Sequence, residues 1–239
     1  MKILLLQARH ANDRARLEER HSFALMARLK DEQIVPFDLL SGTLTLTDIR
    51  KYDALMIGGS GEYYVSKKNL PSYEVVLDVL REVVSMGHPM FASCFGFHLL
   101  IEALGGNVIY DPDHMEVGTY QLTLTHAGEE DELFSYLPST FQAQLGHKDR
   151  AGTLPAEVVN LAASEYAPYQ ALRIPDKPIW STQFHPELTG EENLERFHRY
   201  LDGYANMMSE EEMQETLDRF NDSPETDQLL GRFLNLVFG

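Results

Sequence analysis

The sequence predicts an α/β fold, in which a mostly parallel central sheet is flanked by helices and followed by a short C-terminal helical extension. Short apolar runs alternate with amphipathic helical segments in the first half of the chain, and shorter strands predominate in the second half. The 239 residues are also enough to bury one substantial core. We therefore expect one domain over residues 1–203 and an acidic, amphipathic helical extension over residues 204–239.

The first half of the chain contains four predicted strands and three predicted helices. The strands are the apolar runs at residues 2–7, 33–37, 54–57 and 89–93. Two helices are predicted over residues 14–30 and 73–86, and a third follows the last strand and stops at Gly105-Gly106. In the first helix we expect one apolar stripe to face the core. Its members are Leu17, Phe23, Leu25, Met26 and Leu29.

The second half of the chain changes to shorter strands between residues 107 and 184. Residues 117–124 alternate in polarity, residues 179–184 form a last strand, and residues 191–205 form a helix. Two helices are expected after residue 206. Ser209 begins the first in a capping box with Glu212, and residues 227–237 form the second. The apolar stripe of the second helix should pack on this domain or on a second copy of the chain, so a homodimer is one of two arrangements.

Cys94 lies between the strand at residues 89–93 and the helix that follows it. A sharp turn there places its sulfur near the helix N-terminus, where the dipole and free N–H groups favour the reactive thiolate. Gly96 leaves room for such a turn. A strand, a turn with the nucleophile and a helix form the elbow of α/β hydrolases, here with sulfur in place of oxygen. A lone cysteine is also compatible with an inert, buried apolar position.

His185 and Glu187 follow the strand at residues 179–184, and Pro186 between them ends that strand. Two residues apart on extended backbone, their side chains project from the same side. The carboxylate can then accept from one imidazole nitrogen while the other nitrogen faces a thiol. With Cys94, these residues make a candidate nucleophile, general base and orienting carboxylate.

The elbow cysteine and the later His-Pro-Glu sequence resemble the class I glutamine amidotransferases, in particular a stand-alone glutaminase domain of the kind found in GMP synthases. The resemblance implies a flavodoxin-like fold and a Cys94-His185-Glu187 triad that hydrolyses the side-chain amide of glutamine through a thioester. It also implies an oxyanion hole formed by the N–H groups of Gly59 and Phe95, since residues 57–61 resemble the family's Gly-Gly loop.

The chain departs from the family pattern around the substrate pocket. Ala92 replaces the usual glycine two residues before the cysteine, and His98 replaces a glutamine that helps to hold the substrate. Imidazole differs from a carboxamide in shape and ordinarily titrates near neutrality. By resemblance, Ser60 and His147 also border the pocket, although a surface turn explains the loop of His147 nearly as well. The substrate-binding candidates are therefore His98, Ser60 and His147.

Two enzymatic functions and one non-catalytic function fit these residues. The first is hydrolysis of a γ-glutamyl amide bond, in glutamine or another γ-glutamyl compound. Either a separate synthase subunit then receives the ammonia, or hydrolysis itself is the function. The second is a γ-glutamyl peptidase activity on a substrate other than glutamine, which His98 favours. The third is a regulatory protein that binds a ligand without turnover, and the presence of all three triad residues argues against it.

Composition restricts the partners. A net charge of −17 argues against nucleic acid, whose phosphates require Lys and Arg patches. The single cysteine cannot form an internal disulfide, and no apolar run approaches the roughly 20 residues that cross a membrane. The remaining histidines show no metal-ligand spacing, so we expect neither a metal nor a cofactor. We expect a cytoplasmic enzyme.

Overall fold

The computed structural model describes residues 1–204 and 207–239, and a nine-stranded sheet lies at its centre. The order of strands across the sheet is β2-β1-β3-β4-β11-β10-β9-β6-β7, and β5 pairs with β8 in a separate two-stranded sheet. The strands are β1 (Ile3–Ala8), β2 (Ile34–Asp38), β3 (Ala54–Ser60), β4 (Met90–Ser93), β5 (Asn107–Tyr110), β6 (Glu116–Leu124), β7 (Thr140–His147), β8 (Asp149–Thr153), β9 (Val159–Ala163), β10 (Ala171–Arg173) and β11 (Ile179–Thr182).

The large sheet has a parallel half and an antiparallel half. Strands β2, β1, β3, β4 and β11 run parallel, whereas β10, β9, β6 and β7 join through antiparallel pairs. The predicted α/β fold with a central sheet flanked by helices is thus confirmed, with the parallel pairs gathered in the half of the sheet from β2 to β11. The carboxyl ends of parallel strands meet at one edge of a sheet, where open α/β folds form their ligand sites. Segments that follow β1, β3, β4 and β11 are therefore brought together there.

Helices cover both faces of the sheet, and the helix predicted over residues 73–86 has those bounds in the structure. Among the described residues, no helix is both long and apolar enough to cross a membrane. The helices are α1 (Ala15–Met26), α2 (Leu46–Ile49), α3 (Tyr73–Met86), α4 (Phe95–Ala103), α5 (His126–Glu129), α6 (Gly190–Arg199), α7 (Glu210–Asp218) and α8 (Leu229–Phe238).

The predicted apolar stripe of α1 is wrong at two positions. Leu17 and Leu25 are 72% and 56% exposed, whereas Glu19 on the same helix is fully buried. The reason is an ion pair, because Glu19 accepts a 2.8 Å hydrogen bond from the buried guanidinium of Arg9. A buried carboxylate needs such a partner, and the pairing turns the polar residue toward the sheet.

The C-terminal helices pack on this domain. Ser209 caps α7 in the predicted capping box with Glu212. Helix α8 buries Phe233, whose ring centroid lies 5.6 Å from that of Phe91 and 6.0 Å from that of Trp180. The apolar stripe of α8 therefore completes the core on one face of the sheet. The helix predicted over residues 191–205 ends earlier, at Arg199; a short 3₁₀ turn (Leu201–Gly203) follows, and Ala205 lies outside the described residues.

Candidate active site

Cys94 lies on the turn that joins β4 to α4. Its backbone angles, φ 48° and ψ −98°, are unusual for a residue with a side chain and indicate local strain. Its N–H donates to the Thr182 carbonyl at 2.8 Å, which joins the turn to the end of β11. At Gly96 the helix approaches β3 so closely that an added Cβ would lie 2.7 Å from the Cβ of Ile57. The elbow depends on this close approach of helix and strand.

His185 and Glu187 follow β11 and form a buried pair beside the elbow. The imidazole Nδ1 of His185 lies 2.7 Å from Glu187 Oε1, so Nδ1–H donates to the carboxylate. The other ring nitrogen, Nε2, is then available to the sulfur of Cys94. Glu187 is fully buried and His185 is 6% exposed. The His185 N–H also donates to the Gln144 carbonyl at 2.8 Å, which fixes the turn against β7. The ring therefore has a defined orientation.

The charges of this pair favour an imidazolium. Burial by itself would lower the pKa of His185, but the negative charges of Glu187 and Cys94, with hydrogen bonds to both, raise that pKa to about 10. Burial likewise opposes ionisation of Glu187, and the attraction of His185 outweighs it, so the pKa of this carboxyl is lowered. At neutral pH the structure therefore supports a protonated His185 next to an ionised Glu187, the arrangement that stabilises a thiolate.

The two predicted oxyanion-hole residues lie at the ends of adjacent elements. Phe95 is the first residue of α4, where backbone N–H groups have no partner within the helix. Gly59 is near the carboxyl end of β3 and borders the imidazole, since an added Cβ would lie 2.8 Å from His185 Cε1. A side chain at position 59 would displace the ring. Both residues therefore lie next to members of the candidate triad, Phe95 beside Cys94 and Gly59 beside His185.

His98 lies one turn into α4 and is 3% exposed. Its Nε2 is 2.6 Å from the side-chain oxygen of Gln183, and the amide nitrogen of Gln183 is 3.9 Å from the Cys94 sulfur. Burial lowers the pKa of His98 to about 4, against the weaker opposing effect of Asp149. The buried ring is therefore uncharged near neutrality, where an ordinary histidine titrates, because an uncharged ring avoids the cost of burying a cation.

Ser60 and His147 are both at the pocket. The Ser60 hydroxyl accepts a 2.9 Å bond from the Tyr63 N–H, which stabilises the loop after β3. Both ring nitrogens of His147 are engaged by the protein, with Nδ1 2.9 Å from the Asp149 carbonyl and Nε2 3.0 Å from Glu116 Oε2. His147 thus shapes the wall of the pocket, and its nitrogens are not free to bind a substrate.

A cavity of about 80 Å³ opens over these residues. Lys148 lies in its wall, although no sequence pattern points to a role for it. Its ammonium donates to the Gly203 carbonyl and lies 3.9 Å from the ring centroid of Tyr204. Burial, and then the charge of Lys67, lower the pKa of Lys148 to about 8. The other residues that line the cavity include Arg9, Ser60, Tyr64, Cys94, His98, Asn193, Arg196 and Tyr200.

The arrangement places a thiol, an imidazole that is paired with a buried carboxylate, and the N-terminus of a helix at one small pocket. Within residues 1–204 and 207–239, no group of three or more His, Cys, Asp or Glu side chains is placed to hold a metal ion. Nucleophilic attack by sulfur on a carbonyl carbon is the chemistry that this set of groups can perform.

A protein-family model described as class I glutamine amidotransferase matches residues 24–199 of the chain. Among curated proteins, the glutamine-hydrolysing GMP synthase of Streptococcus pneumoniae strain CGSP14 is 36% identical over 113 residues, which are 46% of this chain and 21% of that protein. The chain thus spans about a fifth of the length of the curated relatives it matches.

Solved structures show the same fold at low sequence identity. A glutamine amidotransferase from Thermotoga maritima has a TM-score of 0.73 at 17% identity, covering 100% of this chain and 98% of the other. A second glutamine amidotransferase, from Methylobacillus flagellatus, has a TM-score of 0.71 at 18% identity, and the alignment covers 98% of this chain and 94% of the other. A candidate GMP synthase subunit from Thermoplasma acidophilum has a TM-score of 0.61 at 19% identity, and the alignment covers 87% of this chain and 97% of the other.

Proposed function

The chain belongs to the class I glutamine amidotransferase family, and we propose that it hydrolyses a γ-glutamyl amide bond through a thioester on Cys94. The observation that supports this most is the elbow cysteine beside the buried His185–Glu187 pair, whose Nδ1–Oε1 distance is 2.7 Å. A strained nucleophile next to an oriented imidazole is what acyl transfer to sulfur needs.

In the first half of the proposed reaction, the Cys94 thiolate attacks the side-chain carbonyl carbon of the γ-glutamyl group. The carbonyl oxygen becomes an oxyanion that accepts hydrogen bonds from the N–H groups of Gly59 and Phe95. The C–N bond then breaks, and Nε2–H of His185 gives its proton to the departing nitrogen. This step releases ammonia or an amine and leaves the thioester.

In the second half, water attacks the thioester carbonyl while the now neutral His185 takes a proton from it. The C–S bond breaks, glutamate leaves, and the thiolate and imidazolium are restored. Glu187 stabilises the ring in the steps where it is positive and keeps the proton of Nδ1 in place throughout. The two halves together consume one water molecule and regenerate the enzyme.

Glutamine is the first substrate that we propose, with the released ammonia passing to a separate synthase subunit. Similarity to GMP synthases and to a candidate subunit of such a synthase supports a synthase partner. The second candidate is a γ-glutamyl compound with a larger amine, which the departure from the family pattern at His98 favours. We propose a cytoplasmic location, where a catalytic thiol is kept reduced.

The test is amide hydrolysis by the purified chain. Ammonia release from glutamine and amine release from other γ-glutamyl compounds should be measured for the wild type and for Cys94→Ala. We expect hydrolysis by the wild type and none above background by the variant, with an unchanged circular dichroism spectrum, because the sulfur forms the covalent intermediate. His126→Ala, at an exposed histidine, is the control. A Cys94→Ala protein with near wild-type turnover would contradict the proposal.

A further inference from the structure

Two hydrogen-bonding contacts connect helix α4 to the sulfur of Cys94 through Gln183. The first joins His98 Nε2 to Gln183 Oε1 at 2.6 Å, and the second joins Gln183 Nε2 to Cys94 Sγ at 3.9 Å, near the outer limit for a hydrogen bond to sulfur. We propose that His98 and Gln183 are positioning residues that hold an amide N–H against the nucleophile. This inference rests on the proposed function only in that it assigns Cys94 as the nucleophile.

The direction of each bond follows from the chemistry of the groups. With the carboxamide oxygen of Gln183 toward the ring, His98 Nε2 carries the shared proton, since a carboxamide oxygen only accepts. The amide nitrogen of Gln183 then has to face the opposite way, toward the sulfur. If the amide were turned around, its oxygen would face the sulfur and oppose a negative charge there. The protonated Nε2 of His98 therefore selects the orientation that favours a thiolate.

Burial makes this orientation effective. Gln183 is fully buried and His98 is 3% exposed, so water does not compete for the two contacts. The backbone of Gln183 is also anchored, because its N–H donates to the Gln170 carbonyl at 2.8 Å. A carboxamide held on both sides presents the positive end of its dipole to the sulfur without having to reorient during the reaction.

The charged and titratable groups near His98 fit the same assignment. Asp149 favours a charged ring, His147 and His185 oppose it, and the cost of burial dominates, so the ring is neutral at the pH of most enzymes. A neutral imidazole keeps one N–H, and the contact to Gln183 takes it. In place of the family's glutamine, this chain thus has a residue that donates to Gln183 and retains a single acceptor, Nδ1.

The test is the rate at which iodoacetamide alkylates Cys94, because that rate follows the thiolate and needs no substrate turnover. At pH 6.5 we expect Gln183→Met to react about tenfold more slowly than wild type, since one stabilising hydrogen bond to the charged form is lost. His98→Leu should slow the reaction several-fold, because the amide is then free to turn. His98→Gln should restore the wild-type rate, since its amide can donate to Gln183. In the wild type, nitrogen NMR should find the proton of neutral His98 on Nε2.

The matched control is Ser181→Ala, which removes a buried 2.8 Å hydrogen bond to the Ala92 carbonyl from β11, the strand that directly precedes Gln183. Thermal melts identify any variant that fails to fold, and the NMR tautomer then still decides. A His98 proton on Nδ1 or a wild-type alkylation rate in a folded Gln183→Met would overturn the proposal. A wild-type alkylation rate of Cys94 in the His98→Leu variant would also overturn the proposal. If these results hold but no γ-glutamyl compound is hydrolysed, the proposed function fails and the positioning role stands.

Discussion

Replacing Glu187 by glutamine tests the electrostatic basis of the candidate triad. The change is nearly isosteric, and the new carboxamide oxygen can still accept from Nδ1 of His185. What disappears is a buried negative charge 2.7 Å from the ring. We therefore expect a variant that folds with the ring in place but holds its proton less tightly than the wild type does.

The magnitude follows from the pKa of His185, which rises from an ordinary 6.5 to about 10. That difference corresponds to about 5 kcal/mol of preference for the charged ring. The charge of Glu187 is the largest of the effects that raise this pKa against the cost of burial, so removing it should cost on the order of 2 to 3 kcal/mol. If this loss appears in the transition state, kcat/KM falls about 30- to 150-fold. The effect is milder than the complete loss expected for Cys94→Ala.

The sign of the pH dependence is also fixed. Because the pKa of His185 is higher in the folded than in the unfolded state, its protonation stabilises the fold fully below pH 6.5. This contribution to the free energy of unfolding is lost as pH rises toward about 10. In Glu187→Gln, the free energy of unfolding should change less over this interval. The alkaline limb of the activity profile should move toward neutrality, because the charged ring protonates the leaving group.

The assay is amine release from the best γ-glutamyl substrate between pH 5 and pH 11, together with urea unfolding at the same pH values. Glu191→Gln is the matched control, since it makes the same change of charge at an exposed position of α6. Equal kcat/KM for Glu187→Gln and the control, with an unmoved alkaline limb, would refute the assignment of Glu187 as the partner of the ring.

Two further substitutions test the fold around the site. Gly59→Ala should lower kcat/KM more than a hundredfold while the protein still folds, because the new Cβ would lie 2.8 Å from His185 Cε1 and displace the ring; a variant with wild-type turnover would show that this strand end tolerates a side chain. Phe233→Ala should destabilise the protein by about 3 to 5 kcal/mol in urea unfolding, since the ring is fully buried against Phe91 and Trp180. A loss below 1 kcal/mol would mean that α8 is a loosely attached segment.

The sequence predicts those parts of the site that depend on local backbone geometry. A strand, a cysteine and a helix in immediate succession define the elbow at Cys94. The pairing of His185 with Glu187 is also local, although the backbone is not the extended one expected, because β11 ends at Thr182 and Pro186 and Glu187 lie in a turn. The two residues are so close in the chain that they meet through this turn, and their spacing still predicts the pair. The capping box at Ser209 and the full extent of α3 follow from equally local rules.

Other features depend on contacts between residues that are distant in the chain. The exposure of Leu17 and Leu25 is decided by the burial of Glu19, which in turn depends on Arg9 at the end of a neighbouring strand. The periodicity of one helix carries no information about such a partner. A pattern of apolar residues therefore predicts the existence of α1 but misplaces its inner face.

The sequence by itself determined the candidate nucleophile, base and carboxylate, since each follows a strand and the parallel order of those strands brings their ends together. Only the tertiary structure decided what surrounds them. His98 is 85 residues from Gln183, yet their side chains meet at 2.6 Å, and Lys148 reaches a carbonyl 55 residues further along the chain. The cost of burying a charge or an unpaired polar atom depends on these contacts. The ionisation of His98 and Lys148, unlike their identity, is therefore a property of the folded chain.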